Sequence, residues 1–426
     1  MQGQALPGFR DFYPEELALR NYIFTTWRDV AGRYAFEEYD GPPLEPLELY
    51  TQKSGEEIVQ QLYTFRDKGD REVALRPEMT PSLARMVGAR AQALKKPIRW
   101  FSIPQLFRYE RPQRGRLREH FQLNMDIIGE AGPAADAEVM AAVVDIARAF
   151  GLGPADVRLR LSDRRLMVAE LSKRQVHEEE LPAVLAALDK WDERDPASTE
   201  REIHAALGPS DRKAAVYEFL GTLGTSRGRP DAALMASAAA EPLRQNVERL
   251  RAMGLEEFVD VDLRIVRGLA YYTGIVFELF DAKQSLRAIC GGGRYDNLIK
   301  EIAGIDLPCV GFGMGDVVLG ELLKEQGKET EAPSQIDAFL IAVSGEDIAF
   351  VLKLTHELRD RGVAVEYSLR HAPIRKQLEL AVARGAPRAI ILGPDERTAK
   401  VAVVRDLKTG RQRKVPLTKV RKGVFK

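Results

Sequence analysis

The chain has 426 residues, 45% apolar and 30% charged, which suits a globular protein of about two to three domains. Lys plus Arg and Asp plus Glu both number 63, so attraction to nucleic acid must come from local patches rather than net charge. No apolar run reaches the roughly 20 residues of a membrane span, the start MQGQALPGFRDF lacks a signal peptide's basic and apolar regions, and Cys290, Cys309 and five scattered histidines form neither a CxxC pair nor a metal-ligand cluster.

From Pro14 to about Arg33 the spacing of Leu17, Leu19, Ile23, Trp27 and Val30 predicts a helix, with Asp11 placed to cap its entry. Pro42, Pro43 and Pro46 then break helical periodicity and predict an extended segment. Between Arg99 and Gly129 apolar residues alternate on both sides of RPQRGRLREH: Phe101, Ile103 and Phe107 before it, Phe121, Leu123 and Met125 after it. That is a strand, a basic loop turning at Gly115, and a second strand. Guanidinium groups projecting from such a hairpin suit the phosphates of a nucleotide, and the loop suits a nucleic-acid end.

Ala134 to Gly151 reads as another helix, and Val157 to Leu161 as a strand. From about 164 to 256 leucines and alanines recur among charges, predicting a helical insertion, after which VDVDLRIV and YYTGIVFELF resume the sheet. The polar run KEQGKETEAPSQ marks a linker at 326–335. Beyond it AFLIAV, VAVEYSL, RAIILG and KVAVVRDL alternate with helical segments at Asp347–Arg361 and Pro373–Arg384, a compact βαβαβ pattern over 336–426. Its Arg370, Arg375, Lys376 and Arg388 read first as a solvated face and second as RNA contacts.

The segment FRYERPQRGRLREHFQ closely resembles motif 2 of class II aminoacyl-tRNA synthetases in its histidyl form. GFRDFYPEE, YTFRDKGDREVALRPEMT, RGLAYYTGIVFE, GGGRYDNLI and LPCVGFGMG stand in that family's order along nearly the whole chain. The resemblance implies an α/β chain in which residues 1–325 form an antiparallel sheet with flanking helices, followed by an anticodon-binding-like domain. It further implies a cytoplasmic homodimer, using the helix-then-proline block as its interface, that takes L-histidine, ATP with Mg²⁺ and tRNA(His), with no metal held by the protein itself.

The implied reaction aligns two anions, the carboxylate of histidine and the α-phosphate of ATP, so charge neutralisation carries most of the catalysis. By the resemblance Arg108 and Arg267 are catalytic, and Glu78, Met79, Thr80, Gln122, Asp126, Tyr271 and Tyr272 join them around histidine. ATP falls to Arg108, Glu110 and Arg116, and the tRNA acceptor end to Arg111, Gln113, Arg114, Arg116 and Arg118. Glu110 is expected two residues along one strand face from Arg108. The triple glycine 291–293 allows close backbone approach; a simple turn is the usual reading of such a run, but with RYD following it resembles the family's adenosine and histidine pocket floor.

Two positions depart from the pattern. Val318 stands where the family's motif 3 carries an ATP-binding arginine, and Ala270 replaces an aspartate before the paired tyrosines. A compensating cation, for which the basic motif 2 loop offers candidates, would keep the chain a histidine–tRNA ligase. Without one, a catalytically silent histidine-sensing partner of a phosphoribosyltransferase is the rival reading. Against that rival stand Arg267, the full basic loop and the C-terminal module.

Overall fold

Along residues 119–128 alternate side chains divide between two surfaces: Gln122, Asn124 and Asp126 on one, Leu123, Met125 and Ile127 on the other. The apolar set packs in a core with Val139, Val143, Trp27 and Val30, so the polar set is left to line a hollow on the opposite face. This division organises the first of two units, Met1–Thr330 and Glu331–Lys426, in a computed structural model. It describes residues 3, 5–51, 59–189, 196–208, 212–226, 228–267, 271–329, 336–370 and 372–425; Ala270 and positions 330–335 of the expected linker lie outside them.

With strands numbered along the chain, the main sheet runs β1 (Glu37–Glu38), β5 (Ile98–Ser102), β7 (Glu119–Ile128), β12 (Cys309–Gly315), β11 (Cys290–Arg294), β10 (Ile275–Asp281), β8 (Val157–Asp163), β9 (Val259–Val261). All neighbours are antiparallel except β1 with β5 and β8 with β9. The predicted hairpin is present with a break at Ile103 and Pro104, so that β5 and the short β6 (Gln105–Phe107) both pair with β7. A side sheet of β2 (Leu44–Pro46), β4 (Glu72–Leu75) and β3 (Tyr63–Arg66) delivers the LRPEMT segment to the hollow.

Helix Pro14–Arg33 forms as its apolar spacing predicts, but Asp11 does not cap it: the N-cap is Tyr13, with no side-chain bond, and Pro14 removes one orphan N–H from the first turn. Helix Pro133–Ala149 lies under the sheet, its Val139, Met140, Val143 and Val144 fully buried. Arg294 is 2% exposed and pairs with Asp136 in that helix and with Asp296. Removing one partner of such a buried pair costs roughly 3–5 kcal/mol, because the other charge stays desolvated. The helical stretch after β8 contains Arg164–Lys173, Leu181–Asp189, Pro196–Leu207, Arg212–Thr225 and Glu241–Ala252. Its Val184, Leu188, Ile203 and Leu220 join the main core rather than making a separate one.

The second unit is a five-stranded sheet, β14 (Val365–Tyr367), β13 (Ala338–Ala342), β15 (Arg388–Leu392), β16 (Val401–Asp406), β17 (Gln412–Pro416). The βαβαβ reading holds for β13, β14 and β15, which are parallel. β16 and β17 instead pair antiparallel. β17 escaped the sequence because QRKVP is an exposed edge strand with a single buried residue, Val415, and gives no alternating apolar signal.

Candidate active site

On the polar face of the main sheet, β11 and β12 contribute glycine where other strands contribute side chains. Gly311 pairs with Asp126, Gly313 with Asn124 and Gly291, and Gly291 with Glu278. A Cβ on Gly311 would collide with the Asp126 carboxylate, one on Gly291 with the Arg267 guanidinium, and one on Gly313 would lie 2.7 Å from Gln122. The triple glycine is therefore strand rather than turn: it clears volume for side chains arriving from β7, β10 and the segment before β10.

Two hollows stand on this floor. The larger, about 490 Å³, is lined by Arg108, Glu110, Arg116, His120, Glu278, Arg287 and Val318, among others. The smaller, about 70 Å³, is lined by Glu78, Thr80, Asn124, Asp126, Tyr271, Tyr272 and Tyr295. Arg108, Gln122, Arg267, Gly291 and Gly313 line both, so the two arginines expected to be catalytic stand where one hollow opens into the other.

Arg267 adopts a left-handed backbone, φ +57°, which is unfavourable for a residue with a Cβ. An ion pair with Glu278 on β10 holds it there, with its guanidinium 5.9 Å from the centre of the Tyr272 ring. Burial works against its charge, but Glu278 and Tyr272 outweigh burial and hold the group protonated more firmly than usual. Among the described residues its buried Nε has no hydrogen-bond partner, a donor available to a ligand oxygen. Arg108 donates from Nε to the Pro77 carbonyl at 2.9 Å.

The smaller hollow is lined with acceptors. Arg76, 4% exposed, fixes the LRPEMT loop through Asp40, the Gly41 carbonyl and the Gln105 carbonyl. The loop presents Glu78, whose Oε2 accepts from the Tyr271 hydroxyl at 3.2 Å. Asp126 accepts from the Tyr295 hydroxyl at 2.5 Å, and burial, only partly offset by that bond, pushes its carboxyl up to about 7. Acceptors in an enclosed polar hollow fit an ammonium and an imidazole N–H. Met79 lines neither hollow: its fully buried side chain packs by Arg76, at the start of the helix from Thr80.

The loop over the larger hollow is braced rather than loose. β6 ends at Phe107, so Arg108 and Glu110 do not share a strand face; the chain tightens, the Glu110 N–H donating to the Arg108 carbonyl at 2.7 Å. Glu110 nevertheless lines the hollow, ion-paired with Arg116. Arg118 donates to the Glu110 carbonyl and lies 4.2 Å from the Tyr109 ring centre. Arg114 pairs with Glu321 and Glu325 on helix Asp316–Glu325. Gln113 and Arg116 close the turn through backbone bonds in both directions, and Arg111 is exposed. Of the expected acceptor-end set, Arg111, Gln113, Arg114 and Arg118 stay outside both hollows.

Several lining residues went unassigned in the sequence. Tyr295 lay inside the GGGRYD block but was passed over for the glycines. His120 is held neutral, its pKa lowered to about 3 by burial and by Arg108 and Arg10. Glu278 closes the RGLAYYTGIVFE block, and only the strand register reveals that it faces Gly291. Arg287 precedes the Cys290–Arg294 strand and gave no sequence signal.

A glycine-floored antiparallel sheet with paired arginines between two polar hollows, followed by a small α/β unit, defines a class II aminoacyl-tRNA synthetase architecture. Residues 8–315 match the family model for histidyl-tRNA synthetase and residues 337–425 that for an anticodon binding domain. The histidine–tRNA ligase of Opitutus terrae is 46% identical, over 98% of this chain and 97% of that protein. The chloroplastic/mitochondrial histidine–tRNA ligase of Arabidopsis thaliana is 39% identical, over 96% and 84%. The crystal structure of histidyl-tRNA synthetase from Nostoc sp. PCC 7120 shares the fold, with TM-score 0.80 and 23% identity over 100% of this chain and 99% of that one. The chain belongs to the histidyl-tRNA synthetase family.

Proposed function

We propose that the two hollows hold histidine and ATP, and that the chain acts as a histidine–tRNA ligase. The observation that carries this is the placement of Arg108 and Arg267, the two arginines that line both hollows. A histidine carboxylate oxygen attacks the α-phosphorus; the new O–P bond forms as the bond to pyrophosphate breaks, giving histidyl-adenylate. A terminal ribose hydroxyl of tRNA then attacks the carbonyl carbon and expels AMP. Arg267, always charged and with a free Nε donor, meets the negative charge that grows on the α-phosphate. Arg108 orients the carboxylate and phosphate against each other.

Glu78, Thr80, Tyr271 and Asp126 read the amino acid, and Gln122 borders both substrates. The shorter Asp126 is brought into reach because Gly311 opposite it leaves room and Tyr295 orients it. Mg²⁺ would arrive with the nucleotide's phosphates; Glu110 and Glu278, the carboxylates lining the larger hollow, would have to give up their arginine partners to hold it. The loop 111–118, exposed over 111–114, faces the tRNA acceptor end, and the protein works in the cytoplasm as a homodimer. The silent regulatory reading is not favoured: relatives matching nearly the whole chain are histidine–tRNA ligases.

The test is histidine-dependent ATP–pyrophosphate exchange on the full chain, followed by charging of tRNA(His). Both activities are expected. Histidine binding with neither reaction would overturn the ligase reading.

A further inference from the structure

The larger hollow is lined by four arginines, Arg108, Arg116, Arg267 and Arg287, against two carboxylates, Glu110 and Glu278. With His120 neutral, that leaves a net charge of about +2 facing a nucleotide of about −4. The carboxylates are already engaged, Glu110 by Arg116 and Glu278 by Arg267. Among the described residues no carboxylate pairs with Arg287, which is exposed on the hollow's wall.

The turn that carries Arg287 is fixed. Asp281, 3% exposed, accepts from the Ser285 N–H, the Ser285 hydroxyl and the Leu286 N–H. Leu286 packs on the main core and Ile289 is buried in it. Arg287 also lies beside the position where motif 3 lacks its cation. A Cβ built on Gly115 would lie 3.4 Å from Val318 Cγ2 and 4.0 Å from Arg287 Cδ, so the arginine stem and the valine methyl border the same small volume.

We propose that Arg287 is a polyphosphate-binding residue of the activation reaction, its guanidinium taking the β- and γ-phosphate end of ATP from above Val318. A bulkier cation on the Asp316–Glu325 helix would occupy the space through which Arg287 reaches, so valine at 318 and arginine at 287 form one arrangement. Arg287 is chosen over the motif 2 loop because Arg114 is paired with Glu321 and Glu325, while Arg118 lies outside the hollow. The inference rests on the ligase reading.

The test is exchange kinetics on the full chain with R287A, R287K and the double variant R287A/V318R. R287A is expected to raise the KM for ATP and for pyrophosphate about tenfold, as loss of a charge-assisted hydrogen bond would, with the KM for histidine and the melting temperature unchanged. R287K keeps the charge and is expected to recover part of both, and R287A/V318R, which returns a cation on the other wall, part of the ATP affinity. Wild-type KM values in R287A overturn the proposal, as does a rise for ATP without one for pyrophosphate, which would place Arg287 on the base. Absence of exchange in the wild type would instead defeat the ligase reading itself.

Discussion

The hollows and the loop above them use arginine in opposite ways. In the hollows, glycine strands make room, carboxylates hold the guanidinium groups of Arg267 and Arg116, and one backbone takes a left-handed turn to deliver Arg267. In the loop, Arg111 and Arg114 lie in solvent, and among the described residues Arg114 pairs with Glu321 and Glu325 at the surface. A desolvated charge interacts strongly and tolerates little displacement, whereas a solvated one is screened and replaceable. That difference suits the hollows to chemistry at a fixed point and supports the proposal that the loop meets a large anionic partner.

Substitutions on the two sides should separate this difference. The largest expected effect is in Arg108→Ala, which borders both hollows: exchange should fall about 10³-fold, as for loss of a preorganised charge donor, with both substrate KM values raised. A fall of less than about tenfold would move Arg108 out of the reaction. Gly291→Ala comes next, because its Cβ would displace the Arg267 guanidinium while leaving the charge in place. A misplacement of that kind should lower kcat roughly tenfold to a hundredfold, measured beside an unchanged melting temperature.

On the loop side, Arg114→Ala should leave exchange within about twofold, since exposed ion pairs contribute little, and lower the rate of tRNA charging several-fold. Equal losses in both assays would make the loop part of the nucleotide site. The smallest effect concerns stability. Asp126 has a folded-state pKa of about 7 against 3.8 in the unfolded chain. The folded state thus retains a proton across that window, so this group's contribution is fully present below the lower value and declines as pH rises through the upper one. Denaturation midpoints followed from pH 4 to pH 8 should show this decline, and Asp126→Asn should flatten it. An unchanged slope in the variant would assign the pH dependence to other groups.

Much of the hollow was legible because period two and local motifs carry it. The alternation in EHFQLNMDII fixes which residues of β7 face the site, and the glycines of GFGMG at 311, 313 and 315 repeat at the same interval. What was not legible depended on register or rotation. Glu278 lines the hollow because β10 pairs it with Gly291; the Met79 side chain is buried beside Arg76, outside both hollows. Asp11 is a good capping residue by type, yet Tyr13 and Pro14 set the start of the helix. Arg287 sits in a turn set by Asp281, six residues upstream, through its bonds to Ser285 and Leu286, and no local pattern points from it to Val318.

The most direct test of the account sets exchange against histidine affinity in Arg267→Ala. Calorimetric binding of histidine to the full chain should change only a few-fold, while histidine-dependent ATP–pyrophosphate exchange falls by about 10³. Equal losses in both would show that Arg267 holds the amino acid rather than the charge that develops between the two hollows.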